Sequence, residues 1–332
     1  MTGPGPQRPG APTVADVASR ASVLRRLELE VQRRLDGSAS GDHQTNTFGP
    51  GSERAGARGY QPGDDARLID WNLTARSAET FVRTTEAERE VDTWIVADRS
   101  ASLDFGTSRA EKRDVVLGAA AAFGMLTVRG HNRLGLVLSG GEHLEVSPPR
   151  SGRAWLMAAL AKTYDTPRRE VGPAADADLA AALRRLAVGQ ARRSQVVVLS
   201  DFLGSDDWAL PLQTLAHRHQ VLAVHITDPR ELELPAVGIL GVVDAETGRQ
   251  RYVQTSSKVL RLRYAEAADA RTREIARRIH AARAEYLHLS TTDDWLTKTL
   301  AYAMQHSRLR ASRPADRGSL SAQHFTPVGV SR

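Results

Sequence analysis

Asp98, Ser100 and Ser102 stand at alternate positions in WIVADRSASLDFG, residues 94–106, directly after a short apolar run. A second apolar run, Val196 to Leu199, ends in Ser200 and Asp201. Carboxylates and hydroxyls are hard oxygen ligands, suited to magnesium or manganese. Two carboxylates brought to one point repel each other unless a cation or a proton lies between them. Asp98, Ser100, Ser102 and Asp201 are therefore candidate metal ligands, on the condition that the two runs lie side by side. Two other readings stand beside this one. Asp and Ser favour helix N-caps, so both aspartates can simply cap the helices that follow. The serines can also be nucleophiles, although no histidine or lysine is placed nearby in the sequence to activate them.

Groups at strand ends converge only if buried strands carry them there. From residue 91 onward, short apolar runs alternate with helical stretches. Val91–Ala97, Arg133–Leu138, Gln195–Leu199 and Val221–Ile226 are the strong runs, and Gly238–Val243 and Tyr286–Leu289 are weaker versions. Between them, residues 109–128, 153–162, 178–186, 207–217 and 265–282 read as helices, and a last helix spans 293–306. Continuous apolar strands separated by helices predict an α/β fold, a mostly parallel sheet with helices on both faces. Ligands of such sheets bind beyond the carboxyl ends of the strands, where Asp98 and Asp201 fall. The stretch His143–Val146 is expected to return through Gly140-Gly141 as an antiparallel edge hairpin. Upstream, Leu24, Leu27, Val31 and Leu35 recur at three- and four-residue steps, which predicts a helix over 14–35. The expected division is a disordered tail 1–13, a helix and an elaboration packed on the main domain over 14–90, the α/β domain with its C-terminal helices over 91–308, and a disordered tail 309–332.

Composition narrows the chemistry. The 332 residues include 41% hydrophobic and 25% charged side chains, the balance of a chain that buries a core. The formal charge of +6 comes mostly from arginines spread among acids, without the interleaved aromatics of a nucleic-acid groove. There is no cysteine, which excludes disulfides, thiolate metal sites and cysteine nucleophiles and fits a cytoplasmic location. The opening MTGPGPQRPGAPT lacks the apolar centre of a signal peptide. The longest apolar run, Val115 to Val128, is shorter than the ~20 residues of a membrane span, so none is expected. No G-x-S-x-G elbow or H-E-x-x-H occurs, and the Gly-rich stretch at 49–59 lacks the lysine of a phosphate loop.

The D-x-S-x-S spacing after a buried strand, completed by a later strand-end Asp, resembles the metal-ion-dependent adhesion site of von Willebrand factor A domains. RGYQPGDDARLIDWNLTAR at 58–76, followed by FVRTTEAERE, resembles the bacterial family called domain of unknown function 58 (DUF58). DPRELELPAVG at 228–238 and DAETGR at 244–249 fit the same family, and the resemblance spans about residues 20–305. It implies a von Willebrand factor A-like fold, no enzymatic reaction, and association with MoxR-type AAA+ ATPases. It also implies Mg2+ or Mn2+ at Asp98, Ser100, Ser102 and Asp201, the serines binding directly and the aspartates mostly through water. One position departs from the pattern. In Asp176-Ala177-Asp178-Leu179, Ala177 stands where the family usually has a threonine, one hydroxyl ligand fewer unless Asp176, Asp178 or water fills the gap. The function expected is a non-enzymatic protein-binding adaptor, working with such an ATPase in client remodelling or complex assembly. The alternative is a magnesium-dependent phosphohydrolase or nuclease using Asp98 and Asp201. Within 58–76 stand Leu68, Ile69, Trp71 and Leu73, with Arg58, Arg67, Arg76 and Arg83 nearby. They form either a buried turn-helix whose arginines pair with Asp64, Asp65 and Asp70, or a docking surface rich in tryptophan and arginine.

Overall fold

Strands that are apolar along their whole length need neighbours on both edges and helices above and below. The computed structural model meets that requirement; it describes residues 14–40, 56–77, 79–84, 92–106, 110–140, 143–168, 178–190, 192–243 and 249–311. In chain order, helix α1 (Val14–Ser40) is followed by a small unit of β1 (Gly56–Gly59), α2 (Trp71–Thr74) and β2 (Phe81–Thr84). The main sheet then begins with β3 (Thr93–Asp98), α3 (Lys112–Arg129), β4 (Leu134–Ser139), β5 (Glu145–Arg150) and α4 (Arg153–Asp165). It continues through α5 (Leu179–Gly189), β6 (Gln195–Ser200), α6 (Ala209–Arg218), β7 (Gln220–Thr227) and the single turn α7 (Pro229–Leu232). A hairpin of β8 (Ile239–Val243) and β9 (Gln250–Gln254), then α8 (Lys258–Ala281), β10 (Glu285–Ser290) and α9 (Trp295–Ala311), complete it.

Six strands form the central sheet in the order β10-β7-β6-β3-β4-β5. Neighbours pair in parallel from β10 to β4, and β5 runs antiparallel to β4 at the edge. This is the expected α/β architecture. Alternate residues of each strand feed two separate cores. Ile95, Ala97, Leu136 and Leu199 pack with α1, α3, α4 and α9 on one face. Trp94, Val96, Val137 and Val198 pack with α5, α6 and α8 on the other. Every residue of β3 and β4 is buried, which explains why their sequences carry no period-two alternation. The α3–α9 contact is close enough to require glycine. A Cβ on Gly118 would lie 2.1 Å from the Trp295 ring.

Several elements differ from expectation. The run at 238–243 is not a strand of the main sheet but pairs antiparallel with β9 in a separate two-stranded ribbon, its residues alternating in exposure. The edge strand lies a few residues beyond 143–146, and the last helix continues to Ala311, into the segment expected to be a tail. In the small unit, Trp71 is 68% exposed and Leu68 46%, so the buried turn-helix reading of 58–76 does not hold. Its acids bind backbone amides. Asp64 accepts from Gln61 N, Asp65 from Arg67 N, and Asp70 from Asn72 N and Leu73 N. Residues 85–90, Asp176 and Ala177, 244–248, and the tail calls at 1–13 and 312–332 lie outside the described residues. Among the described residues, no helix is long and apolar enough to cross a membrane.

Candidate functional site

Counted along the chain, the sheet strands run 3-2-1-4-5-6 from the β5 edge, the doubly wound order. The chain leaves β3 towards β4 on one side and later returns at β6 on the other. The switch point, where such sheets open a crevice at their carboxyl ends, therefore lies between β3 and β6. Asp98 closes β3 and Asp201 follows β6 directly, and Val96 and Ala97 pair in register with Val198 and Leu199. The condition set by the sequence is met: the two tips are adjacent.

Local geometry turns all four predicted ligands towards one another. Ser100 N donates to Asp98 Oδ1 at 3.0 Å, a turn closed by the side chain, and Ser200 Oγ donates to Asp98 Oδ2 at 2.6 Å. Ser100 Oγ and Ser102 Oγ are 3.0 Å apart, and Ser102 hydrogen-bonds Asp201. The loop after β3 lies against the end of β4 through Gly140, at φ +85°, where a Cβ would sit 2.5 Å from the Arg99 carbonyl carbon. After β6, Phe202 holds a left-handed φ of 52°, an unfavourable conformation for a side chain of this size. Its ring is fully buried and packs edge-on to Trp208 at 4.9 Å, which secures the turn that presents Asp201. The capping alternative fails at both tips. Ser100 and Ser205, not the aspartates, occupy the N-cap positions of the short 3-10 helices that follow.

Sequence reasoning missed the principal partner. Lys112, the first residue of α3, is completely buried, with Nζ 2.7 Å from Asp201 Oδ2 and 2.6 Å from Glu231 Oε1. Burial alone would depress an ammonium and raise a carboxyl. Around Lys112 the charges of Asp201 and Glu231 outweigh burial and raise the lysine pKa. Burial likewise works against Asp201, but the charge and hydrogen bond of Lys112 hold its carboxyl below the ordinary value. Glu231 is pushed up by burial despite the same lysine. Asp98 is the uncompensated member. Burial first, and then the charge of Asp201, push it from 3.8 to about 6 against the hydrogen bonds from Ser200 and Ser100. One available signal was a lysine in the first turn of a helix, where the macrodipole disfavours a cation.

Charged and apolar side chains both surround the tips. Arg99 and Arg113 both donate to the Thr166 carbonyl at 2.9 Å, and Arg113 also binds Asp104 at 2.7 Å. Burial, then the neighbouring Arg113, lower Arg99 to about 10. From β7, buried His225 meets the Tyr286 hydroxyl at 3.0 Å. Burial and then His288 press its pKa down to about 3. Ser102, Asp201 and Glu231 line a cleft of about 1670 Å³, together with Leu232, Leu240 and Tyr264 and with Arg168, Arg230, Arg249 and Arg271.

The donor set fits a hard divalent cation: two carboxylates and two hydroxyls converge, and Asp98 carries charge that Lys112 leaves unbalanced. Among the described residues no group of three His, Cys, Asp or Glu side chains gathers, so such a site would depend on the serines. Asp178, offered by the sequence as a substitute for the missing threonine, caps α5 by accepting from Ala181 N at 2.6 Å.

The family described as "Protein of unknown function DUF58" matches residues 56–274. A relative in Mycobacterium tuberculosis, "Uncharacterized protein Rv1480", is 42% identical over 288 residues, 87% of this chain and 90% of its own. Among solved structures, an aerotolerance-related membrane protein from Bacteroides fragilis aligns with a TM-score of 0.43 at 13% identity, over 66% of this chain and 99% of its own. BatB from Bacteroides thetaiotaomicron aligns with a TM-score of 0.42 at 14% identity, over 67% and 100%.

Proposed function

The chain belongs to the DUF58 family, and from that premise we propose that it is a non-enzymatic protein-binding module whose recognition site is the cleft at the tips of β3 and β6. One observation carries the reading. Asp98, Ser100, Ser102 and Asp201, drawn from two distant segments, meet at the strand tips, and Ser102 and Asp201 among them line a large cleft walled by apolar side chains and several arginines. At about 1670 Å³ it exceeds the roughly 300–1,000 Å³ of sites for drug-sized molecules and suits a peptide segment. Asp98, Ser100, Ser102 and Asp201 would hold Mg2+ or Mn2+, which when bound supplies positive charge for a partner's carboxylate. The residues themselves shape the site: Phe202 and Gly140 fix the two turns, and Lys112 balances Asp201. In this reading residues 91–308 are the binding domain and 14–90 its elaboration, in a cytoplasmic protein.

The partner proposed is a MoxR-type AAA+ ATPase, or a client which that ATPase remodels; the family resemblance supports it. The test is a pulldown from the native host with wild type and Asp98→Ala, in added magnesium or in chelator. Recovery of an AAA+ ATPase by wild type alone, lost in chelator, is the expected result. Recovery of nothing but nucleic acid refutes the adaptor. So does turnover of a generic phosphate ester that vanishes in Asp98→Ala, which is the outcome a magnesium-dependent hydrolase demands.

A further inference from the structure

A buried ammonium is tolerated only when it is paired and hydrogen-bonded, and Lys112 satisfies both conditions by reaching two carboxylates at once. Asp201 follows the β6 tip, and Glu231 belongs to α7, which forms part of the cleft wall. Lys112 thus bridges Asp201, a member of the proposed site, and Glu231 on the cleft wall. Any divalent cation that uses Asp201 meets an ammonium already bound to that carboxylate. Loosening Lys112 from Asp201 also changes what anchors Glu231, and with it Leu232 and Leu234, which line the cleft beyond.

We propose that Lys112 is an internal counter-cation that weakens divalent-cation binding at the Asp98–Asp201 site and couples its occupancy to the position of α7. The inference rests on the metal reading above. It assigns a role to a side chain outside the four ligands: with Lys112 in place the tips are partly neutralised from within, and the site responds only to high cation concentration. Glu231 is the arm through which that state reaches the partner-facing wall.

The experiment titrates Mn2+ into the full chain by calorimetry, comparing wild type, Lys112→Met and the double variant Lys112→Met/Glu231→Gln. The double variant removes one charge of each sign, so it preserves the cluster's net charge and leaves Glu231 without a buried unpaired charge should the single variant fail to fold. Removing the ammonium 2.7 Å from Asp201 is expected to tighten Mn2+ binding by roughly tenfold or more in Lys112→Met, and by a smaller factor in the double variant, which also loses the more distant Glu231 charge. Adding Asp98→Ala to the double variant is expected to abolish the gain. Amide hydrogen exchange across residues 229–233 is expected to quicken in both lysine variants before any Mn2+ is added. Equal or weaker Mn2+ affinity in the folded variants overturns the role of Lys112 and leaves the metal reading standing. No Mn2+ binding by any folded variant overturns the metal reading, and the inference with it. A gain that survives Asp98→Ala places the binding elsewhere and also overturns the inference.

Discussion

Replacing Asp98 with asparagine removes a charge that the fold holds in an unfavourable place. The carboxylate is buried and hydrogen-bonded by Ser200 Oγ at 2.6 Å and Ser100 N at 3.0 Å, yet burial and the nearby Asp201 push its pKa from 3.8 to about 6. A carboxyl raised in the folded state binds its proton more tightly there than in the unfolded chain. Its stabilising contribution is therefore complete below about pH 3.8 and is lost as pH rises through about 6. A shift of about two units corresponds to about 3 kcal/mol at neutral pH. Asparagine relieves that cost but accepts less well from Ser200, which forfeits about 1 kcal/mol of hydrogen bonding. In chelator at pH 7, Asp98→Asn is thus expected to be more stable than wild type by about 1–2 kcal/mol, or roughly 1.5–3 °C in Tm. At pH 4 the order reverses, because wild type is then protonated and keeps its hydrogen bond. Urea unfolding of both proteins between pH 4 and 7.5 measures the difference directly, and effects common to both cancel. A variant less stable at every pH, or a gap that does not change with pH, refutes the reasoning. Magnesium added at pH 7 is expected to raise wild type alone and narrow the gap.

Three further outcomes follow from the same geometry. His225 has a folded pKa near 3 against an ordinary 6.5, so the unfolded chain takes up the proton first and stability falls as pH drops below 6.5, by up to about 1.4 kcal/mol per pH unit. His225→Gln is expected to show a shallower decline in urea midpoint from pH 6.5 to 4.5, and parallel slopes would speak against it. Gly118→Ala drives a methyl group into the Trp295 ring and is expected to cost about 1–3 kcal/mol, read as a lower thermal midpoint; an unchanged midpoint would mean that α3 and α9 separate easily. Trp71→Ala removes a largely exposed side chain and is expected to change stability by less than about 0.5 kcal/mol while reducing partner recovery in the pulldown. A marked loss of Tm in that variant would show that Trp71 serves packing instead.

The parts of the molecule legible in one dimension are those whose physics is local or nearly so. Val96 to Asp98 and Val196 to Asp201 announced themselves because a strand buried on both faces must be apolar throughout, and a polar group at its end must face the crevice beyond. The run Ile239–Val243 misled for the same reason reversed. Its composition suits a sheet strand, but its partner is the polar QRYVQ of β9, which carries no apolar signal, and the ribbon they form leaves Ile239 and Val243 exposed. Lys112 shows the limit most clearly. In EKRD, before an alanine-rich helix, it looks like one more solvated charge at a helix start. Its carboxylate partners lie 89 and 119 residues further along the chain, so only the packing of α3 against the β6 tip and α7 brings them within 3 Å. Hydropathy and spacing determined the strands and the acids at their ends. Which cation neutralises Asp201 was decided by tertiary structure, because a charge's environment is set by neighbours in space, which sequence distance does not reveal.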